Sequence, residues 1–580
     1  MINNPFNNRH FLGYVNHVSA QYIKVHFPSS ILLNKTIFSG EEFSGGFIGS
    51  FVTIEGEDKG FIGKISELDL PEKERLSLSE KAFQSSDFHP TAKVEILLSF
   101  DYYNSDEVSH SLSSSPNIGS KVFICPDSFI QKYVLQFGSK NNNSENQLLI
   151  NLGSLISNKE TKVNVNQQAI FSRHCAVVGT TGGGKSWSIS KLLEGMIKNN
   201  TKAILIDPTG EYSTFKNNTK IESVILGEDC FFSYKELTIE DLFFLVKPAE
   251  RTQAPKLLEA IRSLKCVELY KNSANSKEFI KDFLDEKGYL IKEGQNIKNY
   301  ERFVYINYDQ INSSSLSFDI EKLEKQIVNE CIWPTIRGNN LCFGGANEQD
   351  LGNCMSLISR IGNLLKTNVF NSVFDFKGDQ DSESLTDIIN KFISDNQTEN
   401  MVLRIGFENL GYEFQAREII ANAIGKFLLQ KARNKCLKDN PVVLFIDEAH
   451  QFLNQKVVDQ YFESNNLSAF EQIAKESRKY GLFLCIATQM PRDIPVGTLS
   501  QMGTFLVHRL INYNDKEAIR QACSTANSEI LSFLPMLGEG EAILTGVNFP
   551  MPLNIKVNEP EIKPDSSTPH FKSIKTKDLI

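Results

Sequence analysis

Residues 175–186 constrain this chain more than any other stretch. An apolar run, Cys175-Ala176-Val177-Val178, ends in Gly179-Thr180-Thr181-Gly182-Gly183-Gly184-Lys185-Ser186. The spacing is G-x-x-x-x-G-K-S, that of a phosphate-binding loop. Glycines let the backbone turn so that successive N–H groups face one phosphate. A helix starting at the loop adds the positive end of its dipole to the same anion. Lys185 is placed to reach β and γ phosphates, and the Ser186 hydroxyl to ligate Mg²⁺. After the loop, Ile189, Leu192, Leu193, Met196 and Ile197 recur at helical spacing. Strand, loop and helix in that order predict an α/β core with a parallel sheet and a bound nucleotide.

At 580 residues the chain exceeds one ordinary core, so two or more domains are expected. Its 41% hydrophobic and 23% charged residues are those of a globular protein. No apolar run approaches a membrane span, and the start MINNPFNNRH has no signal-peptide core; the expectation is a cytoplasmic chain with no membrane partner. The ten cysteines form no C-x-x-C pair, which argues for reduced thiols and against zinc. A net charge of −9 does not advertise nucleic-acid binding, but a basic pore inside an acidic ring is compatible with it.

Residues 1–165 show short alternating or apolar runs, Phe11 to Val15, Tyr22 to Phe27, Phe47 to Ile54, Gly60 to Ile65 and Val94 to Phe100, between glycines and polar turns. That pattern predicts a small antiparallel barrel or sandwich. Residues 104–120 and Asn141 to Ser144 read as loops. Beyond the phosphate loop, Ala203 to Pro208 reads as a buried strand ending in an acid, followed by the loop Thr209-Gly210-Glu211-Tyr212. Residues 216–400 are mainly helical in pattern and form an insertion. Met401 to Phe407 is a further strand and Glu413 to Lys435 a long helix.

Pro441 to Glu448 is an apolar strand that delivers Asp447 and Glu448 at its tip. Downstream of a phosphate loop, the pair suits Mg²⁺ held by Asp447 and water activated by Glu448. The alternative is a strand ending in a solvated acid pair. Phe483 to Gln489 is the next strand. Its Gln489 is a candidate for the γ-phosphate or the water, against the plainer reading of a strand leaving the sheet. Thr504 to Leu510 reads as a strand, Asp515 to Cys523 as a helix, Glu541 to Val557 as a hairpin, and 559–580 as an arm.

Asp447-Glu448-Ala449-His450 spells a familiar helicase box, but it lies far from the loop and is followed by Ala487-Thr488-Gln489 instead of Ser-Ala-Thr. The chain instead resembles the HerA family of the HerA/FtsK hexameric DNA pumps. The likeness runs through Arg173-His174, the loop at 179–186, Asp207 to Ser213, Phe445 to His450, Glu476 to Gly481, Ala487 to Pro491 and Leu499-Ser500-Gln501. It implies a HAS-barrel over 1–165, a RecA-like ATPase core over 166–558 with the helical insertion at about 216–400, and a C-terminal arm over 559–580. It further implies a homo-hexamer that moves double-stranded DNA with ATP and Mg²⁺. A nuclease or sirtuin-like effector would dock through the barrel, in DNA processing or anti-phage defence. An ATP-regulated ring scaffold that activates an effector is the alternative.

Carried over by position, Gly179, Thr180, Thr181, Gly182, Gly183, Gly184, Lys185 and Ser186 bind phosphate, and Ser186 and Asp447 hold the metal. Glu448 serves the water and Gln489 senses the γ-phosphate. Arg173 is an arginine finger given to a neighbouring subunit, and Arg478 a second arginine near the phosphates. Thr209 stands where His is common and Met490 where Arg is common. Pore contacts to DNA are expected in the insertion, with Arg337 and Lys366 as candidates.

Overall fold

The computed structural model describes residues 5–566 except 20–21, 35, 39–40, 44–45, 72–87, 104–107, 110–114, 137–147, 157–158, 160, 273–276, 337, 339, 396–398, 412, 454–467, 524–527 and 550. Much of the 104–120 loop, Asn141 to Ser144, Arg337 and the arm beyond 566 therefore lie outside the described residues. Residues 1–201 and 483–580 form one compact unit, and residues 202–482 a second.

The first unit begins with the barrel. Its strands run Tyr22–His26, Phe11–Val18, Lys121–Ile124, Phe51–Glu55, Lys59–Asp69 and Thr91–Asp101, which pairs back to Tyr22–His26. Every pairing in the ring is antiparallel. Alternation explains the inside and outside: Ile23 and Val25 are buried while Lys24 between them is exposed. Val15, Val52, Ile54, Phe61, Val94 and Val122 fill the lumen. Closure leaves no open edge among these six strands, which a sandwich would have had. Gly13 is required by proximity, since a Cβ there would lie 2.2 Å from the His26 carbonyl oxygen.

The same unit holds seven neighbouring hydrogen-bonded strands in the order Lys162–Asn166, Leu149–Leu155, Leu553–Val557, Glu541–Gly546, Thr504–Val507, Cys175–Val178 and Leu482–Thr488. The last three are parallel and the others antiparallel. The Glu541–Val557 hairpin is present as expected. The strand before the phosphate loop is buried along its whole length, which is why it reads as a continuous apolar run and not an alternating one. The Lys185–Lys198 helix packs on this sheet so closely that a Cβ on Gly195 would meet Ile150 at 2.6 Å.

The second unit has four parallel strands in the order Val442–Ile446, Lys202–Asp207, Val402–Gly406 and Ile221–Ile225. Helices fill most of the insertion, among them Gln253–Asn272, Ile297–Ile306, Glu348–Lys366 and Leu385–Ser394. Ile221–Ile225 is a strand inside the span read as mainly helical. Its Ile-Glu-Ser-Val-Ile is rich in β-branched residues, and it adds to the edge of Val402–Gly406. The architecture is the expected α/β P-loop core with a helical insertion, preceded by a small barrel.

Candidate nucleotide site

In the first unit, Gly182 and Gly184 take left-handed φ of 71° and 109°. A Cβ on Gly184 would lie 2.8 Å from Gly540 Cα, and one on Gly179 2.5 Å from His508 Cβ. The motif's glycines are thus demanded by φ at Gly182 and Gly184 and by packing at Gly179 and Gly184. The loop is fastened on its flanks. Thr180 N–H donates to the Arg509 carbonyl at 3.0 Å, and Gly540 N–H donates to the Gly183 carbonyl at 3.1 Å. Gly184 caps the helix without a side chain of its own, so the first-turn N–H groups stay available for an anion.

Lys185 is 7% exposed. Among the described residues no side chain or carbonyl forms a hydrogen bond or ion pair with its ammonium. A nearly buried cation at a helix N-terminus suits a bound phosphate. Ser186 follows, half-buried, in the first turn. Gln489 sits beside the loop: the Thr181 hydroxyl donates to its Oε1 at 2.5 Å.

Arg173 precedes the loop strand. His174 takes φ of 64° and accepts the Leu484 N–H on Nδ1 at 2.9 Å, which pins the strand's start. Arg173 is exposed, and among the described residues its guanidinium has no partner. Only its carbonyl is held, by Gly503 N–H at 2.7 Å.

In the second unit, the Val442–Ile446 strand delivers Asp447 and Glu448 into buried positions, 4% and 5% exposed. The solvated-pair alternative is thereby set aside. Burial pushes the Asp447 carboxyl well above its ordinary range, and the negative charges of Glu448, Glu211 and Asp207 push the same way. Glu448 takes φ of 45°, and the His450 Nδ1 lies 3.3 Å from its Oε2. Such a set of carboxylates fits a divalent cation. Among the described residues, however, no three His, Cys, Asp or Glu side chains could hold a metal by themselves. Mg²⁺ ordinarily keeps waters and takes one or two carboxylates plus phosphate oxygens.

Asp207 is fully buried and does other work. Its Oδ1 accepts Gly210 N–H at 2.9 Å and its Oδ2 accepts Tyr212 N–H at 3.0 Å, which shapes the loop carrying Glu211. Arg404 donates to Asp207 Oδ2 at 2.8 Å and also to Glu408 and, at 3.1 Å, to Ser223 Oγ. Arg478 is exposed, with no side-chain partner among the described residues. Lys366 is exposed and pairs with Glu324 at 3.2 Å.

Two residues of the site region carry no local signal. His508 lies 320 residues from Ser188, its hydrogen-bond partner, and Arg404 lies 197 from Asp207. Only the polar break in otherwise apolar strands, an Arg within Val402–Gly406 and a His at the end of Thr504–Val507, marks them.

The family description "Helicase HerA, central domain" matches residues 150–403, and "Helicase HerA-like C-terminal" matches 435–566; together they span more than half of the chain. The chain belongs to the HerA helicase family. The first HerA range contains Arg173 and the phosphate loop, and the second contains Asp447, Glu448, Arg478 and Gln489. A probable helicase of Methanocaldococcus jannaschii is 25% identical over 459 residues, 76% of this chain and 75% of that protein. The DNA double-strand break repair helicase HerA of Sulfurisphaera tokodaii is 24% identical over 434 residues, 73% of this chain and 72% of that one. Among solved structures, the bacterial conjugative coupling protein TrwB gives a TM-score of 0.43 at 12% identity, covering 76% of this chain and 93% of that one. VirB4 of Thermoanaerobacter pseudethanolicus gives 0.42 at 15%, covering 72% and 98%. Among the described residues of this HerA-family chain, no helix is long and apolar enough to cross a membrane.

Proposed function

We propose that this HerA-family chain is an ATP- and Mg²⁺-dependent motor that works as a homo-hexamer in the cytoplasm and drives double-stranded DNA. A nuclease or sirtuin-like effector docks on the barrel, in DNA processing or anti-phage defence. The observation that carries the ATP reading is Lys185: a nearly buried ammonium with no protein partner among the described residues, at a helix start behind two left-handed glycines. The curated relatives named as DNA double-strand break repair helicases support the DNA reading.

In this reading the backbone of Gly179, Thr180, Thr181, Gly182, Gly183 and Gly184 cradles the phosphates, and Lys185 offsets charge that develops on the γ-phosphate. Mg²⁺, when bound by Ser186 and Asp447, neutralises the same charge. Glu448 takes the proton from the attacking water, with the His450 ring beside its carboxylate. Gln489 reports the γ-phosphate. Thr181, its hydrogen-bond partner, belongs to the loop itself. Arg173, exposed and without a side-chain partner among the described residues, is supplied to the phosphates of a neighbouring subunit, and Arg478, likewise exposed, is a second arginine near the phosphates. The barrel holds no metal-ligand cluster among its described residues and serves as the docking face.

The test is ATP turnover by purified protein with and without linear duplex DNA. Duplex should stimulate turnover, and Glu448→Gln should abolish it while leaving ATP bound. If duplex leaves turnover unchanged and an effector is activated by ATP binding alone, the ring-scaffold reading replaces this one.

A further inference from the structure

The underside of the phosphate loop is occupied by a side chain that the reading above leaves without a role. His508 is fully buried at the end of the Thr504–Val507 strand, which runs parallel to the loop strand. Its side chain packs against two of the loop's glycines. A Cβ on Gly179 would lie 2.5 Å from His508 Cβ, and one on Gly184 3.2 Å from Cε1. The first contact would force atoms apart and the second is tight, so His508 itself helps to explain why position 179 is glycine and crowds position 184.

The ring is tied at both nitrogens. Nδ1 lies 2.9 Å from the Glu541 carbonyl oxygen, and Nε2 lies 2.8 Å from the Ser188 hydroxyl. A carbonyl only accepts, which assigns the proton to Nδ1 and leaves Nε2 to accept from Ser188. The ring is neutral near pH 7. Burial pushes its pKa down to about 4, and the nearby Lys185 charge pushes it the same way, against the Glu541 and Gly183 carbonyls. Ser188 lies in the first turn of the Lys185–Lys198 helix, and Glu541 starts the Glu541–Gly546 strand. The adjoining turn also donates Gly540 N–H to the Gly183 carbonyl. The imidazole therefore braces three things at once: the loop backbone, the helix start that carries Lys185, and the strand behind the turn.

We propose that His508 is a positioning residue for the nucleotide, holding the phosphate loop and the first turn of its helix in the shape that binds phosphate before any nucleotide arrives. Preorganisation of this kind acts on affinity, because the loop has no conformational freedom left to lose on binding. It does not touch the water, the base or the leaving group. Loss of the brace should therefore raise the ATP dissociation constant and KM together and leave kcat at saturating ATP nearly unchanged. The inference rests on the loop binding ATP.

The experiment measures ATP affinity, KM and kcat for full-length wild type, His508→Ala, His508→Asn and Ser188→Ala, with thermal melting as the folding control. Asn places an N–H near the position of Nδ1 and keeps the bond to Glu541; Ser188→Ala keeps the ring and removes only the other bond. His508→Ala should weaken ATP by at least tenfold with kcat within about threefold of wild type. His508→Asn should recover part of the affinity, and Ser188→Ala should weaken it by severalfold. If His508→Ala is not folded, Asn and Ser188→Ala decide by the same two readouts. ATP binding within twofold of wild type in all folded variants overturns the proposal, as does a fall in kcat at unchanged KM. Lys185→Ala serves as the reference: if wild type binds no ATP, or Lys185→Ala binds it as well as wild type, the nucleotide reading fails and not the role of His508.

Discussion

Replacing Arg404 by Met should destabilise the second unit strongly, and more at pH 8 than at pH 5. The guanidinium is 1% exposed and serves Asp207, Ser223 and Glu408. Without it, fully buried Asp207 keeps only the backbone N–H groups of Gly210 and Tyr212. Removing one partner of a buried charged pair costs about 3–5 kcal/mol. At about 2–4 °C per kcal/mol for large domains, the melting temperature should fall by roughly 6–20 °C. The pH dependence follows from the same pair. Burial already raises the Asp207 carboxyl above its ordinary value, and Arg404 opposes that rise. In the variant the opposition is gone, so the native carboxyl holds its proton to higher pH than the unfolded one does. A native state that binds more protons loses stability as pH rises above the ordinary Asp value of about 3.9. The deficit against wild type should therefore shrink at pH 5. Thermal melts by circular dichroism, with wild type in parallel at both pH values, are the assay. A fall under 2 °C, or a deficit no smaller at pH 5, would refute the reasoning.

Glu448→Gln should lower turnover by ~10²–10⁴ while ATP stays bound, and Lys185→Ala should lose ATP binding altogether; full turnover in the first variant would remove Glu448 from its role. Gly184→Ala should abolish nucleotide binding in folded protein, because the new Cβ meets Gly540 Cα at 2.8 Å in a backbone of φ 109°; normal ATP affinity would contradict that. Arg173→Ala and Lys185→Ala proteins should each be nearly inactive as ATPases yet regain activity when mixed, because a good loop can then meet a good finger, worth ~10³–10⁵ in rate. Normal hydrolysis by Arg173→Ala alone would end the shared-site account.

What could be read from the chain was whatever is local. The phosphate loop is legible because its glycines, Lys185 and Ser186 sit at fixed offsets between an apolar strand and a helix. Val442–Ile446 is legible because a strand buried on both faces is apolar throughout and its acids mark the end. Five of the six barrel strands follow from short alternating or apolar runs, while the four-residue Lys121–Ile124 was too short to be read, and the closure into a ring is not local at all: the Tyr22–His26 pairing with Thr91–Asp101 joins segments about 70 residues apart. The strands Leu149–Leu155 and Lys162–Asn166 sit in the first half of the chain, yet the former pairs with Leu553–Val557, a partner some 400 residues away that no window of sequence contains. His508 and Arg404 escaped for the same reason. Each looks like a polar residue in or beside an apolar strand, and its meaning lies in Ser188 and Glu541, or in Asp207, which only folding brings to it. Asp207 was legible as a strand-end acid, but its role as the organiser of the Thr209–Tyr212 loop depends on two backbone bonds and one distant guanidinium.

The most direct test of the central claim follows a duplex along which the protein must travel. A triplex-forming third strand is placed on linear double-stranded DNA, and its release is recorded with wild type, ATP and Mg²⁺. The account predicts release whose delay lengthens with the distance between the DNA end and the triplex. No release should occur with Glu448→Gln or with a non-hydrolysable ATP analogue. Vigorous ATP turnover with the triplex left in place at every distance would contradict it.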